Sequence, residues 1–265
     1  MKGARVSPEK RRITAVLATI AVLAIVAFAG YFVVRARSGG GGSLQPMATA
    51  SPASPTPKTS ANETPTAKWL VAKASGTVAV YRQPSPSADV LATLSKFNSH
   101  RQPTLMLVRE TRQIDGVTWF NVWLAKRPNG SSGWVRASSV GTYTTAARIV
   151  IDVSERQLSV YLNDKLMGRF PVAVGSSAYP TPPGFFFVNE KVRPSPADGF
   201  YGVLAMGLSA FQPRLPTRGS LAIHGTNTSA GIGRAISEGC IRMHNADVLK
   251  VSAWVPSGSP VVIKR

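Results

Sequence analysis

Residues 68–143 carry short apolar runs, in several of which apolar and polar side chains alternate. Such alternation predicts β-strands with one buried face. The runs lie at 77–81, 105–108, 118–124 and 133–135. Turn sequences rich in Pro, Gly, Ser and Asp separate them, at 83–86, 115–116 and 127–130. The pattern predicts a small β-barrel, with Trp119, Trp123 and Trp134 as core residues; a ligand groove lined by them is the alternative.

A second series of strands begins at residue 146. Runs at 148–153, 157–162 and 165–174 are separated by short turns and predict a β-meander. A long connection over 200–211 then leads to a buried apolar strand that ends at His224. This half of the chain is therefore predicted to be a second β-rich domain, from 146 to 265.

The C-terminal residues predict one short helix. Asn245 is expected to be its N-cap, Asp247 lies in the first turn, and the helix is expected to run through Trp254. Pro256 follows its end, and residues 260–263 read as a closing strand. The predicted fold class from residue 68 onwards is mostly β with a single short helix.

The chain has one long apolar segment, which lies near its start. Residues 13–34 contain no charged side chain, and 22 residues of helix span a bilayer core of about 30 Å. Five basic residues precede the segment and two follow it closely, which predicts a cytoplasmic tail over 1–12 and a single-pass membrane protein whose later residues are extracytoplasmic. A cleavable signal peptide is the alternative, since residues 27–29 have a small-x-small pattern.

Residues 35–67 differ in composition from both flanking regions. They contain a run of glycines followed by a stretch rich in Pro, Ser, Thr and Ala. Such a composition cannot bury a core and is typical of a flexible linker.

The chain is strongly basic, with 31 Lys and Arg against 12 Asp and Glu and a net charge of +19. The charge is spread evenly, because 1–66, 67–143 and 144–265 are each basic by 6 or 7 charges. A diffuse positive charge favours anionic surfaces such as lipid headgroups or wall polymers. Nucleic acid is not an expected partner, since aromatic residues do not alternate with basic ones and the domains are predicted to be exported.

Cys240 is the only cysteine and therefore cannot form an internal disulfide. Gly239 precedes it, and His224 lies 16 residues earlier, so the thiol and the imidazole can meet only if the loop between them folds back. Such a pair would make a nucleophile and its base, whereas a lone Cys can equally be a small buried hydrophobe. A metal site is not expected, because one Cys and two nearby His without a C-x-x-C spacing form no convincing ligand set.

These residues form a motif that resembles the active-site signature of the L,D-transpeptidases with a YkuD-type catalytic domain. The matching positions are His224, Gly225, Thr226, Ser237, Gly239, Cys240, Ile241, Arg242 and Asn245. The runs 148–161, 171–175 and 179–185 also resemble that domain. The chain departs from the family at Glu238, where His is usual. In addition, 119–124 and 130–135 resemble bacterial SH3-like domains, which suggests that fold for 68–143.

The resemblance implies a YkuD-type β-sandwich and a peptidoglycan L,D-transpeptidase that makes 3→3 cross-links through a Cys thioester. In that mechanism Cys240 attacks, His224 is the base, and the Gly225 carbonyl orients the imidazole. Backbone N–H groups of Gly239 and Cys240 would bind the oxyanion. No metal or cofactor is implied.

The resemblance also implies partners and further site residues. The expected substrate-binding residues are Ser237, Arg242, Tyr201 and Thr226; Arg242 could instead pair with Glu238. Peptidoglycan stem peptides would be donor and acceptor, and carbapenem-type β-lactams would be covalent inhibitors. The alternatives are an L,D-carboxypeptidase, a protein-to-wall transferase, or a non-catalytic wall-binding scaffold in which Glu238 marks lost activity.

Overall fold

The computed structural model describes residues 68–215 and 219–265. The predicted cytoplasmic tail, membrane segment and linker at 1–67 lie outside these residues. In the part of the chain that is described, no helix is both long and apolar enough to cross a bilayer. Strands dominate and one α-helix is present among the described residues, so the prediction of a mostly β fold with a short helix is confirmed.

Seven strands form an antiparallel sheet over residues 69–145, named the N-terminal sheet below. The strands are β1 (Trp69–Ala74), β2 (Val78–Tyr81), β3 (Val90–Leu94), β4 (Leu105–Ile114), β5 (Val117–Trp123), β6 (Ser132–Arg136) and β7 (Val140–Thr145). Their spatial order is β3-β2-β6-β5-β4-β1-β7. The predicted turn at Asp115–Gly116 joins β4 to β5 with positive φ at both residues, as a two-residue hairpin requires.

The apolar side chains of the N-terminal sheet form its core as the alternation predicts. Val78 and Val80 are fully buried, and so are Met106 and Val122. Trp119 and Trp134 are buried, while Trp123 is partly buried and contacts the second sheet through Phe185. The expected likeness to an SH3-like domain stays a prediction.

An eight-stranded sheet, named the C-terminal sheet below, follows. The remaining elements are β8 (Ala147–Asp152), β9 (Gln157–Leu162), β10 (Lys165–Pro171), β11 (Val174–Gly175), β12 (Gly184–Val192), β13 (Ala205–Phe211), β14 (Ser220–His224), β15 (Ala235–Ser237), β16 (Ile241–Arg242), helix α1 (Asn245–Trp254) and β17 (Pro260–Lys264). The order in the sheet is β10-β9-β8-β17-β12-β13-β14-β16, and β11 pairs separately with β15. Helix α1 lies within the bounds predicted for it.

The antiparallel pair β12 and β13 at the centre of this sheet corrects the prediction of a long connection over 200–211. The reason is that central strands are covered on both faces and need no alternation of apolar and polar residues. Phe186, Phe187 and Val188 of β12 are consecutive and all buried, and so are Leu208, Ser209 and Ala210 of β13. A continuous buried run of this kind gives no period by which a strand could be recognised.

The two sheets are packed against each other. Phe187 of the C-terminal sheet is fully buried in a cluster with Val71, Leu105 and Leu107 of the N-terminal sheet. Polar contacts surround this cluster. Glu190 Oε2 lies 2.7 Å from Asn98 Nδ2 and 2.8 Å from His100 Nδ1. At another point of contact, Asn129 exchanges two hydrogen bonds of 2.8 Å with the backbone of Phe211.

Candidate active site

The parallel pairing of β14 with β16 places the two candidate catalytic side chains on one face of the sheet. Ile223 lies opposite Ile241, and His224 lies opposite Arg242. Because side chains alternate along strands, His224, Arg242 and the preceding Cys240 share one face, while both isoleucines are fully buried on the other. Strand spacing and rise put the Cα atoms of Cys240 and His224 about 8 Å apart, a gap that a thiol and an imidazole can close.

The crossover that connects these two strands is residues 225–240, and it folds back as the pairing of Cys240 with His224 requires. It contains a 3₁₀ turn at Ser229–Gly231 and the short strand β15, which pairs in parallel with β11. Ala173 on the far side of β16 then exchanges backbone hydrogen bonds of 2.9 and 3.0 Å with Arg242. The segment that carries Cys240 is therefore held from both edges.

His224 is fully buried and its orientation is fixed by its neighbour. The Nδ1 atom lies 2.6 Å from the Gly225 carbonyl oxygen, which can accept a hydrogen bond only from a protonated Nδ1. In the neutral ring Nε2 is then the basic nitrogen, and it is buried without a hydrogen-bond partner among the described residues. Burial lowers the pKa of His224 to about 4; the Gly225 bond opposes this change and the charge of Arg242 adds to it.

Cys240 is a partly exposed free thiol. Burial of the sulfur raises its pKa above the ordinary value, while a hydrogen bond from the Ala222 backbone and the charge of Arg242 lower it. Glu238 also raises the pKa of Cys240, but it is the last of the four causes. With the thiol pKa raised and the His224 pKa lowered, the resting site holds a neutral thiol and a neutral imidazole that are not hydrogen-bonded to each other.

Ser237 organises the turn before Cys240. Its fully buried hydroxyl donates to the Cys240 carbonyl oxygen at 2.6 Å and accepts from the Gly239 N–H at 3.0 Å. The Gly239 N–H is thus already bonded, which differs from the expectation that it points at an oxyanion. The Cys240 N–H has no acceptor in the described part of the chain. It is therefore a backbone donor at this turn that is available to a ligand.

Two residues that sequence reasoning missed hold the same turn from the opposite side. Thr181 Oγ1 donates to the Gly239 carbonyl at 2.9 Å and accepts from the Gly175 N–H at 2.8 Å. Gln212 Nε2 donates to Pro180 O at 2.9 Å, and its side chain lies against the Cα of Gly239. Gly239 has φ +113°, a conformation that residues with a Cβ rarely adopt.

Asn245 does not cap helix α1 as expected, since the N-cap is His244 and no side chain caps the helix. Asn245 Oδ1 instead accepts the backbone N–H of Thr226 at 3.1 Å and that of Val203 at 3.3 Å. It lies so close to Gly225 that a Cβ on that residue would collide with it. Asn245 therefore fixes the peptide whose carbonyl holds the His224 ring.

The expected substrate-binding residues differ in exposure. Tyr201 is half exposed, and its ring meets the His224 ring edge-on at 4.9 Å between centroids. Thr226 is buried, and its hydroxyl accepts the Thr228 N–H at 3.2 Å. Phe200, which the sequence did not single out, packs on both His224 and Arg242.

The Arg242 guanidinium carbon lies 4.4 Å from the centroid of the Phe200 ring. Its Nε atom is buried and has no hydrogen-bond partner among the described residues. The predicted alternative, an ion pair with Glu238, is not among the ion pairs of the described residues. Within the same residues, no three His, Cys, Asp or Glu side chains are placed to share a metal ion.

Comparison with known sequences adds an independent observation. The sequence profile of the YkuD L,D-transpeptidase catalytic domain matches residues 146–263. The putative L,D-transpeptidase YkuD of Bacillus subtilis is 37% identical over 124 residues, which are 46% of this chain and 69% of the relative. The chain belongs to the YkuD family of L,D-transpeptidase catalytic domains. The family's region begins one residue before β8 and contains all of the C-terminal sheet except Lys264 at the end of β17.

Other members of the YkuD family match over a similar region. The probable L,D-transpeptidase ErfK/SrfK of Escherichia coli is 32% identical over 138 residues, covering 45% of this chain and 44% of the relative. This chain thus spans less than half the length of that protein. Among solved structures, L,D-transpeptidase 3 from Mycobacterium tuberculosis with a faropenem-derived adduct has a TM-score of 0.42 at 16% identity, covering 72% of this chain and 95% of that one.

The neutral, buried state of His224 gives a prediction for its titration. The His224 pKa is lowered to about 4, so the ring is expected to stay neutral from pH 7 to about pH 5 and to protonate near pH 4. The measurement is an NMR titration of the imidazole proton signals, with His224→Gln used for assignment. Tyr201→Ala should raise the midpoint, because burial is the largest cause of the shift. A midpoint near 6.5 in the unaltered protein would contradict this.

The double role of Thr181 gives a second prediction. Thr181→Val keeps the shape of the side chain but leaves the Gly175 N–H and the Gly239 carbonyl unpaired in a buried place. We expect a loss of about 2 to 4 kcal/mol in the free energy of unfolding, measured by urea denaturation. Thr181→Ser keeps the hydroxyl and is the matched control, with a smaller loss. Equal unfolding midpoints for Thr181→Val and the unaltered protein would show that these bonds do not stabilise the turn.

Proposed function

We propose that this chain is a peptidoglycan L,D-transpeptidase that uses Cys240 as its nucleophile and forms 3→3 cross-links. The observation that carries the proposal is the state of His224 Nε2. This nitrogen is buried, without a partner among the described residues, and it lies on the sheet face of Cys240. A buried, unpaired basic nitrogen is costly, and it is suited to take a proton from a nearby thiol.

In the first half-reaction Cys240 Sγ attacks the carbonyl carbon between the third residue of a donor stem and the D-Ala that follows it. The thiol proton passes to His224 Nε2, and the carbonyl oxygen becomes an oxyanion. When the tetrahedral species collapses, the C–N bond breaks and His224 returns the proton to the leaving amine. A thioester to Cys240 and a free D-Ala result.

The Cys240 N–H is the donor that we assign to the oxyanion. The Cys240 N–H is available to a ligand because the hydrogen bonds that hold the turn come from Ser237 and Thr181 and do not use this N–H. One such donor in comparable acyl-transfer sites contributes about 3 to 4 kcal/mol to transition-state stabilisation. The Gly239 N–H could join only if its bond to Ser237 opened.

In the second half-reaction an amine from the third residue of another stem attacks the thioester. His224 takes a proton from that amine, the C–S bond breaks, and Cys240 leaves as a thiolate that regains the proton. The net change is the exchange of one amide for another, so no oxidant or energy source is needed. Water in place of the amine would give the carboxypeptidase reaction, which uses the same groups.

The third alternative, a scaffold inactivated by Glu238, has less support. Glu238 is exposed, and its charge is the weakest of the four influences on the Cys240 pKa. The largest influence is burial, which does not depend on this side chain. We therefore assign Glu238 to substrate handling and not to loss of the reaction.

We further propose that the catalytic domain works outside the membrane, tethered by residues 13–34. The support is in the sequence, where this uncharged segment is preceded by five basic residues. The linker over 35–67 would let the domain reach wall material above the bilayer, and its predicted SH3-like partner at 68–143 would stay next to it.

Reaction with a carbapenem tests the function directly. The strained lactam carbonyl offers the same kind of acyl group as the donor stem, so a thioester adduct is expected on the detergent-purified chain. Intact-mass spectrometry should show a single adduct, absent in Cys240→Ala and formed at least about a hundredfold more slowly in His224→Ala.

His244→Ala is the matched control for that experiment. This second histidine is near the site in sequence, but it contacts the Ser229 hydroxyl at 3.2 Å and has no assigned role. It should acylate at the normal rate. An unmodified mass on a folded, unaltered chain would overturn the proposed function and favour a scaffold.

Glu238, which lies where the family usually has His, gives a further prediction. Glu238→His removes a carboxylate that raises the Cys240 pKa, so acylation at pH 7 should become faster, by less than about tenfold. Glu238→Gln removes the charge alone and separates its effect from that of an added imidazole. The measurement is the second-order rate of carbapenem acylation. An inactive unaltered protein that Glu238→His makes fully active would contradict the role given to Glu238.

A further inference from the structure

A turn of the N-terminal sheet is hydrogen-bonded to the end of β13 in the C-terminal sheet. The turn joins β5 to β6, and its shape is fixed because the Ser131 hydroxyl and N–H both donate to the Pro128 carbonyl, at 2.7 and 3.2 Å. Asn129 lies inside this turn. Its Nδ2 atom donates to the Phe211 carbonyl and its Oδ1 atom accepts the Phe211 N–H, both at 2.8 Å. One side-chain amide therefore joins the turn to the end of β13.

Asn129 takes the place of a neighbouring strand at this point of β13. β12 pairs with β13 only as far as Leu208, so it supplies no backbone partner to Phe211. On the other edge, the Gln212 N–H bonds to the Gly219 carbonyl at 2.7 Å. A cavity of about 460 Å³ borders the contact and is lined by Arg127, Pro128, Asn129, Phe211 and Pro213. Hydrogen bonds, more than close packing, therefore fix the backbone here.

Arg127 from the same turn holds the next residue of the C-terminal sheet, Gln212. Its Nη1 atom donates to the Gln212 carbonyl at 3.2 Å, and its Nη2 atom donates to the Leu215 carbonyl at 2.8 Å. The guanidinium carbon also lies 4.8 Å from the centroid of the Phe211 ring. The N-terminal sheet thus fixes two consecutive residues, Phe211 and Gln212.

Gln212 extends this contact to the turn before Cys240. Its side chain is buried, and its Nε2 atom lies 2.9 Å from the Pro180 carbonyl oxygen and 3.5 Å from that of Glu238. The same Nε2 atom is the first that a Cβ on Gly239 would meet, at 2.8 Å. Residues 238–240 therefore lie against an amide whose position is set by the Gln212 backbone.

We infer that Asn129 is a positioning residue for the reaction of Cys240. Through Phe211 and Gln212 it sets the position of the turn whose Cys240 N–H is assigned to the oxyanion. This role rests on the proposed function, because the position of that N–H affects the rate only if an oxyanion forms there. The N-terminal sheet, which lies outside the family's region, thus acts on the chemistry of the C-terminal sheet.

Carbapenem acylation of the detergent-purified chain tests this role. A displacement of about 1 Å at a reacting site can cost about 100-fold in rate. Asn129→Ala removes both bonds to Phe211 and is expected to lower the limiting acylation rate at saturating carbapenem by about 10- to 100-fold. The carbapenem concentration that gives half of this rate should change by less than about threefold, since Asn129 contacts β13 and not the ligand.

Asn98→Ala is the matched control. Asn98 also reaches across to the C-terminal sheet, where its Nδ2 atom donates to Glu190 Oε2 at 2.7 Å. Its Oδ1 atom accepts the backbone N–H groups of His100 and Gln102, both at 3.0 Å. The substitution should therefore lower the free energy of unfolding, measured by urea denaturation, at least as much as Asn129→Ala does. It should leave the limiting acylation rate unchanged.

A double-mutant cycle shows whether Asn129 acts through Gln212. Gln212→Ala alone should lower the limiting rate, and Asn129→Ala in that background should add less than about a twofold change. If the two effects multiply in full, Asn129 does not act through Gln212 and the inferred role is wrong.

The backbone of the turn gives a second readout that does not depend on activity. Cys240 is the only cysteine, so labelling with ¹⁵N-cysteine gives a single amide signal in the NMR spectrum. Asn129→Ala is expected to shift this signal in the absence of any ligand, whereas Asn98→Ala should leave it in place.

The outcomes separate the two proposals. An unchanged limiting rate or an unshifted Cys240 signal in folded Asn129→Ala overturns the role of Asn129 and leaves the proposed function intact. An equal loss of rate in Asn98→Ala also overturns it, because loss of stability alone would then account for the effect. Absence of an adduct on the unaltered chain overturns the proposed function, and the Cys240 signal then still shows whether the turn responds to Asn129.

Asn129→Asp decides the question if Asn129→Ala does not fold. The carboxylate keeps the shape of the side chain and can accept the Phe211 N–H, but it cannot donate to the Phe211 carbonyl. It should lower the limiting rate and shift the Cys240 signal. An Asn129→Asp protein with the rate and the signal of the unaltered chain would overturn the inferred role.

Discussion

Everything at the site depends on the parallel pairing of two short strands at the edge of the C-terminal sheet. β16 has only Ile241 and Arg242, yet its register on β14 decides which side chains share a face with His224. A shift of one residue would turn the Cys240 side chain towards the core and expose Ile241. So short a strand cannot secure its own register, and the surrounding loops supply the missing constraints.

Those constraints are hydrogen bonds from side chains that do no chemistry. Asn245 fixes the Gly225 peptide, Ser237 closes the turn at Gly239, and Thr181 holds the same turn from the β11 side. The result is an imidazole with a defined tautomer and a thiol with a defined backbone. Both remain neutral in the resting protein because burial disfavours each charged form. In the proposed reaction, the thiol would therefore stay protonated until a substrate carbonyl is bound.

The sequence alone predicts those strands, turns and helix ends that a local pattern of residues can encode. Alternating runs and turn residues locate most strands of the N-terminal sheet and the meander, and Pro256 locates the end of α1. The central pair β12 and β13 gives no such pattern, because residues such as Phe187 are buried whichever way they face. The motif identifies His224 and Cys240, but it does not show what Asn245 contacts. An Asn before a helix is most often a cap, and only the fold brings Thr226 and Val203 to its oxygen. Gln212 and Thr181 act over long sequence separations, for which local sequence carries no signal.

The packing between the two sheets has a consequence for how this protein can be divided. The family's region begins at residue 146, which suggests that the chain could be cut there to isolate the catalytic half. The structure argues against such a cut. Phe187 is fully buried in a cluster with Val71, Leu105 and Leu107 of the N-terminal sheet. Trp69 and Trp123 both lie against Phe185. Truncation at the family boundary would expose these two phenylalanines to water. The isolated fragment would then carry an apolar surface patch that favours aggregation. The region that the family covers is therefore smaller than the region that packs together across the two sheets.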